Sequence, residues 1–558
     1  MKFGVKFLSF LSSALIATTS LNVDNLMALD ETKNTFSYAT GGKYSLMVDE
    51  NSLSKENVER SYNYPSSYDI TTNSSTSSYF PEIGNQGSVP SCTAWATTYY
   101  QYTYEVNKLR NTPATSENIY SPSWTYNYIN GGTANNTYLE HAYNILENQG
   151  AMKLVDYPHS SNISTYNYNW CTDSTKLIDA LEYRGKSSYT INDIQEAKYR
   201  ISQGKPAVVW TNTSTWTIVT NSNNEDVIVR GGTANDSGHF MTIVGYDDNF
   251  TVTVNGVTLT GAFKLANSWG DNWGNDGYIW VSYDALNLYS SYGTTWQNDF
   301  DDYTRGRIFG GNSFNQFSFL DVYHCDVYYA GVADLYSNDM WGVNILTKYN
   351  NNSNFTKLHN IDDFIPKSTS SRYMIAFDYF DVYGSESLSL SNQFRTIFNG
   401  DGSQSTYNIK VNIFDNLHKI ITSSSGGRIP SSGQYTFNNN VYLAKGRVSS
   451  YDNSQITVSD VDLVRYYLLG DIQFSNLQLY LADYNSDGVV SLLDVVEMHE
   501  YVSSLNRSKN SPYSLTDYES EWGCSLADII ENDFGISIED FISDNYTHLS
   551  SLGIALNY

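Results

Sequence analysis

The sequence predicts an α+β chain built from several folding units. Three observations carry that reading. From about Tyr64 to Gly310, helical stripes of apolar and aromatic residues come first and short β-type runs follow, an order that points to α+β packing. Residues 311–445 hold only short β-type runs between Ser, Asn and Gly turns, the pattern of a β-sandwich. Residues 446–505 form a compact helical region around one sharp, metal-type loop. At roughly 100–200 residues per domain, 558 residues accommodate three to five such units.

In the first unit, Ala94–Leu109 and Tyr138–Leu146 carry helical stripes. Ala207–Trp210, Met241–Tyr246, Ala262–Leu265 and Tyr278–Val281 read as strands. Met374–Phe380, Tyr407–Phe414 and Ile420–Thr422 are the strand runs of the second. Beyond Asn506 an acidic tail carries two amphipathic patches, Leu526–Phe534 and Ile536–Ile542.

Composition narrows the function. Hydrophobic residues make up 41% and aromatics 15%, enough for real cores, so wholesale disorder is excluded. Acidic residues outnumber basic ones by 59 to 32, a formal charge of −27 that repels phosphate backbones and argues against a nucleic-acid partner. The four cysteines, Cys92, Cys171, Cys325 and Cys524, are too few and too far apart for a disulfide scaffold. Lys2 and Lys6 precede the apolar stretch Phe7–Ala17, the pattern of a secretory signal peptide (residues 1–28), with cleavage after Ser20 or Ala28. Nothing later is long enough for a membrane span. Residues 29–62 read as a short propeptide or linker.

The segment Ile83–Ala96 is the most informative. Glycines and Pro90 make a turn, and a helix begins at or next to Cys92. There the helix dipole and the orphan N–H groups of the first turn favour thiolate, the form that attacks carbonyls. Gln86 can aim its side-chain NH2 at the same place as the Cys92 backbone N–H, and two such donors make an oxyanion hole. His239 opens a buried strand, 147 residues after Cys92, and Asn267 ends another 28 residues later (239 − 92 and 267 − 239). That order suits a cysteine nucleophile with His and Asn downstream.

Three elements, QGSxxSC before a helix, GHxxxxVGY and NSWGxxWGxxGY, make this stretch (63–310) resemble the papain-like cysteine peptidases. The resemblance implies a two-lobed fold, with a helical lobe and a β-barrel-like lobe, and hydrolysis of protein or peptide substrates without a catalytic cofactor. Carried over, Cys92 is the nucleophile, His239 the general base and acid, and Asn267 the group that orients the imidazole. Gln86 donates to the oxyanion and Trp269 covers the His–Asn hydrogen bond. Asn130-Gly131-Gly132 matches the segment whose backbone pairs with an extended substrate, although a plain turn is the competing reading. His141 and His159 match no motif and read as ordinary helix or surface residues. Val89 stands where relatives carry a bridged cysteine, Pro90 replaces a glycine, and Thr93 replaces a bulky aromatic, so the usual disulfide is absent.

Asp483–Asp494 is a twelve-residue loop of the EF-hand type. Asp483, Asn485, Asp487 and Asp494 supply oxygens at positions 1, 3, 5 and 12. Gly488 makes the turn at position 6, Val489 offers its carbonyl, and Ser491 acts through a water. A helix, Val495–Val502, follows. Asp at position 12, together with the upstream run Ile456–Gly470, resembles a dockerin (446–505), with Ser459 and Asp462 matched to Ser491 and Asp494. This implies structural Ca2+ and docking onto the cohesin of a secreted or bacterial cell-surface scaffold, as in cellulosomes. Residues 311–445 weakly resemble lectin-like sandwiches. Trp341 and Tyr379 are their candidates for stacking on carbohydrate, core packing being the competing role.

The leading expectation is therefore a secreted cysteine endopeptidase tethered to a scaffold. A catalytically dead peptidase fold that only binds peptides or glycans is the alternative. An amidase or transpeptidase using the same three residues is a third.

Overall fold

The computed structural model describes residues 39–40, 42–43, 62–285 (apart from 192, 214–215, 231–237 and 284), 317–507 (apart from 326, 328, 338–343, 350–355, 361–370, 380–387, 402–405 and 429–431) and 512–556. The signal-peptide segment, most of 29–62 and Trp341 lie outside the described residues. Among the described residues no helix is long and apolar enough to cross a membrane. The chain divides into two units, one built mainly from residues up to 323 and one from His324 onward with Trp170–Glu182.

In the first unit a helix begins at Cys92. It comprises α1 (Cys92–Ala94), a π-helical stretch, Trp95–Tyr102, and Thr103–Arg110. Buried residues fall on every side of the π stretch, so it runs through the core rather than along its edge. Its neighbours are α2 (Pro122–Ile129), with proline in its first turn, and α3 (Leu139–Gln149). A further helix, α4 (Ile194–Ser202), is capped by the Asp193 carboxylate on the N–H groups of Gln195 and Glu196.

Strands β1 (Gly42–Lys43) and β3 (Thr137–Tyr138) pair in parallel, and β2 (Ser67–Asp69) pairs with β8 (Gly238–Val254). The main sheet runs β4 (Tyr183–Ile191), β11 (Phe317–His324), β5 (Ala207–Asn212), β8 (Gly238–Val254), β9 (Val257–Ala266), β10 (Tyr278–Ser282), β7 (Asp226–Arg230), β6 (Thr217–Thr220). One large core joins both layers, with Trp95, Tyr99 and Tyr100 from the helix and Val209, Met241, Ile243, Leu265 and Ile279 from the sheet. The boundary expected at residue 310 shifts. Strand β11 joins the main sheet, with Ser318 opposite Val208, and Phe317 and Phe319 pack into that core.

The second unit holds two four-stranded antiparallel sheets, β15–β12–β17–β18 and β14–β13–β16–β19, with β12 (Ala330–Ser337), β13 (Asn344–Tyr349), β14 (Thr356–Asn360), β15 (Ser371–Asp378), β16 (Ser391–Asp401), β17 (Thr406–Phe414), β18 (Ile420–Arg428) and β19 (Ser432–Tyr442). Tyr379 is 4% exposed, packs on Phe394 and hydrogen-bonds Thr396, so it is a core residue and no platform for a sugar. Helices α5 (Val458–Leu469), α6 (Asn476–Ala482) and α7 (Leu492–Asn506) follow.

The acidic tail is folded. Its helices α8 (Leu526–Phe534) and α9 (Ile538–Ser551) are joined to the preceding module by an ion pair of Arg465 with Asp533 (2.9 Å) and a hydrogen bond between His548 Nε2 and Glu497 (2.6 Å). Buried His499 of α7 meets Tyr513 and stacks on Trp522 at 3.8 Å.

Candidate active site

Three segments distant in sequence meet at the start of the Cys92 helix. Backbone hydrogen bonds from Gln86 N to Ser268 O (2.8 Å) and from Gly270 N to Gly84 O (3.0 Å) zip the turn before the helix to the turn after β9. Tyr100, one helical segment on, accepts from Gly84 N (3.1 Å) and donates to the Asn267 carbonyl (2.6 Å). Thr242 of β8 donates to the Ala96 carbonyl at 3.2 Å, holding the strand that begins with His239 against the helix that begins with Cys92. The sequence reading missed Tyr100 and Ser268. A tyrosine on a helical stripe reads as core, and only the fold reveals that its hydroxyl links two loops.

His239 Nε2 and Asn267 Oδ1 are 2.7 Å apart, and both residues are fully buried. An amide oxygen can only accept, so Nε2 carries the proton and Nδ1 presents a lone pair. That Nδ1 is buried with no hydrogen-bond partner, as is the amide Nδ2 of Asn267. Burial pushes the imidazole down to about 4 against the bond to Asn267, so the ring is neutral. Trp269 stacks over His239 at 4.6 Å and 23°, with Trp273 edge-on behind it at 5.1 Å. The arrangement can accept a proton at Nδ1 while Asn267 and Trp269 hold the ring.

Cys92 is the first helical residue, and its N-cap, Ser91, makes no side-chain cap. None of the four cysteines is in a disulfide. In place of the missing bridge, Val89 packs against Ala94, Tyr126 and Tyr166. Ser88 N donates to the Ser161 carbonyl at 2.8 Å. Thr93 is buried, donates to the Thr137 carbonyl (3.3 Å) and accepts from the Thr137 hydroxyl (2.9 Å), which ties the helix to β3.

His159, read from the sequence as ordinary, is mostly buried. It lies edge-on to Trp95, and its Nε2 donates to the Gln86 carbonyl at 3.3 Å while Nδ1 accepts from Ser123. Burial pushes it down to about 4, against that backbone bond.

Gln86 is fully buried. Its Oε1 accepts from the Ser268 hydroxyl (2.6 Å), and Nε2 donates to the carbonyls of Val89 (2.9 Å) and Ala39 (3.1 Å). Trp269 Nε1 donates to the same Ala39 oxygen at 3.0 Å. A peptide carbonyl from the N-terminal segment thus sits on the donor expected to hold an oxyanion. Gly131 and Gly132 have φ of 66° and 74°, and the Gly132 N–H is taken by Asn130 Oδ1 at 2.6 Å. This is a tight turn in which the Gly132 N–H is already engaged.

In the loop from Asp483, the Asp494 carboxylate accepts from the N–H groups of Tyr484 (2.8 Å), Asn485 (3.2 Å) and Ser491 (2.7 Å), while Asp487 accepts from Val489 N. Ser491 and Asp494 form the capping box of α7. The expected match of Ser459 and Asp462 to this pair is corrected. The box of α5 is Thr457 and Asp460, because the helix starts two residues earlier.

Residues 64–292 match the model of the papain family of cysteine proteases, and this part of the chain is a papain-family cysteine protease domain. The protein is accordingly a hydrolase. Solved structures similar to it include xylellain, a cysteine protease from Xylella fastidiosa (18% identity, 51% of this chain and 96% of that one, TM-score 0.35). Procathepsin B S9 from Trypanosoma congolense (19%, 44% and 80%, 0.32) and procathepsin L2 from Tenebrio molitor (17%, 53% and 76%, 0.32) are others. No curated protein matches the chain.

Proposed function

We propose that the chain is an exported endopeptidase that cleaves peptide bonds through Cys92, His239 and Asn267. The observation that carries this reading is the 2.7 Å bond from His239 Nε2 to Asn267, which leaves Nδ1 as the unpartnered base. Nδ1 takes the Cys92 thiol proton, and the thiolate adds to the scissile carbonyl. The developing oxyanion is held by the Cys92 N–H and Gln86 Nε2. The contact of Gln86 and Trp269 with the Ala39 carbonyl supports their reach to a peptide carbonyl. The imidazolium returns its proton to the leaving amine. Water, deprotonated by the neutral ring, then hydrolyses the thioester. Export rests on the charged and apolar pattern of residues 2–17.

Residues 446–505 serve, in this reading, as a calcium-dependent dockerin for a cohesin. Asp483 Oδ1 is buried without a hydrogen-bond partner, an orphan acceptor that suits a hard cation. Asp483, Asn485, Asp487, Val489, Ser491 and Asp494 would hold the ion, which neutralises the carboxylates and ties the loop. The decisive experiment compares peptide cleavage and labelling by an epoxide inhibitor in the wild type and Cys92→Ala. Loss of both in the variant is expected, and cleavage by Cys92→Ala refutes the assignment.

A further inference from the structure

The two halves of the helical module are built alike, which allows them to be compared position by position. With Thr457–Asp460 matched to Ser491–Asp494, the twelve-residue loop of the first half runs from Ser449 to Asp460. Its last residue behaves as Asp494 does. Asp460 is fully buried and accepts from the N–H groups of Ser449 (2.8 Å) and Thr457 (2.9 Å). Acids are absent from positions 1, 3 and 5, which are Ser449, Tyr451 and Asn453.

A side chain stands among these oxygens. Arg447 Nη1 donates to the Ser449 hydroxyl at 2.8 Å, to Asp460 Oδ2 at 2.5 Å and, more weakly, towards Thr457 Oγ1 at 3.5 Å. Its Nε donates to Ser454 Oγ at 2.8 Å and Asp452 Oδ1 at 3.1 Å. Ser449, Thr457 and Asp460 are positions 1, 9 and 12, the counterparts of Asp483, Ser491 and Asp494. The guanidinium side chain is 14% exposed, so its charge and that of Asp460 are withdrawn from water together.

The second loop has no guanidinium at the matching position; the cation beside it is Lys445. The residue two before its first position is Leu481. Lys445 reaches Asp483 with its ammonium 2.7 Å from the carbonyl and 3.6 Å from Oδ2, while Asp483 Oδ1 keeps no partner.

We infer that Arg447 is the built-in cation of the first loop, so that the module takes one calcium ion, in the second loop, rather than two. A planar fork with fixed donors answers several oxygens at once, the work a divalent ion does in such a loop. The first half, including α5, therefore holds its shape without metal, and calcium dependence is confined to the α7 half. The count of one rests on the calcium reading of the second loop; the role of Arg447 does not.

The full-length protein, stripped of metal with EDTA and dialysed, is titrated with CaCl2 in a calorimeter. One ion per chain is expected, none in Asp483→Ala with Asp487→Ala, and still one in Asp460→Ala. Amide exchange of Val458–Leu469, followed by mass spectrometry without metal, should speed up about 100-fold in Arg447→Ala, since a buried carboxylate loses its charged partner. Arg447→Lys, which keeps the charge but not the fork, should recover only part of the protection. Two ions in the wild type, one of them lost in Asp460→Ala, overturn the inference, and so does unchanged exchange in Arg447→Ala. If the wild type binds no calcium, the reading of the second loop fails, and the exchange result alone decides the role of Arg447.

Discussion

Acid should unfold the peptidase domain in a way shaped by three groups largely withdrawn from water. His239 and His159 are each pushed from 6.5 down to about 4, by burial first, with their hydrogen bonds to Asn267 and Gln86 opposing it. Between those values the unfolded chain binds a proton that the native imidazole refuses, so stability falls as pH falls. At about 1.4 kcal/mol per pH unit, each ring removes about 3 kcal/mol by pH 4. Glu105 works in the opposite sense. Burial raises its carboxyl to about 7 despite Lys205 at 3.9 Å, so the native state keeps a proton that the unfolded chain loses above 4.5. From pH 6.5 to 4.5 it offsets one histidine. These three groups then contribute a net slope of about 1.4 kcal/mol per pH unit, rising to about 2.7 in Glu105→Gln. Urea unfolding of Cys92→Ala protein, which cannot digest itself in this reading, gives the slope from midpoints at pH 7 to 4.5. His159→Gln in that background should flatten it by about one proton. An unchanged slope in both variants, or stability that rises on acidification, refutes the reasoning.

Gln86→Ala should keep thiol labelling at Cys92 but lose roughly 10²–10³ in kcat, the usual cost of one oxyanion donor; an undiminished rate removes that role. Asn267→Ala should slow turnover less than His239→Ala, with a bell-shaped pH profile in the wild type, because the amide orients the ring whereas the ring carries the proton. A chain beginning at Tyr62 should be labelled at Cys92 at least about tenfold faster than the full chain, since the two hydrogen bonds to the Ala39 carbonyl, at about 1 kcal/mol each, no longer compete; equal labelling rates speak against that contact. EDTA should abolish cohesin capture, as should Asp483→Ala with Asp487→Ala, while peptide cleavage survives; capture unaffected by both breaks the dockerin reading.

The sequence alone determined which residues are candidates for the chemistry, because turns and strand ends write themselves locally. Glycines and Pro90 before Cys92, the imidazole at the head of β8 and the amide at the end of β9 are all positions where a polar group must be placed by backbone geometry. The twelve-residue spacing from Asp483 is equally local. Tertiary structure decided what depends on distant partners. That Tyr100 joins Gly84 to Asn267, that His159 supports Gln86, and that β11 joins the main sheet rest on contacts no local pattern encodes. The first loop shows the limit most plainly. Thr457 and Ser459 both look like caps in the sequence, and only the bond from Thr457 N to Asp460 selects the first. Arg447, outside the loop by count, reaches into it only once the chain has turned at Gly446, whose φ of 81° folds the segment back.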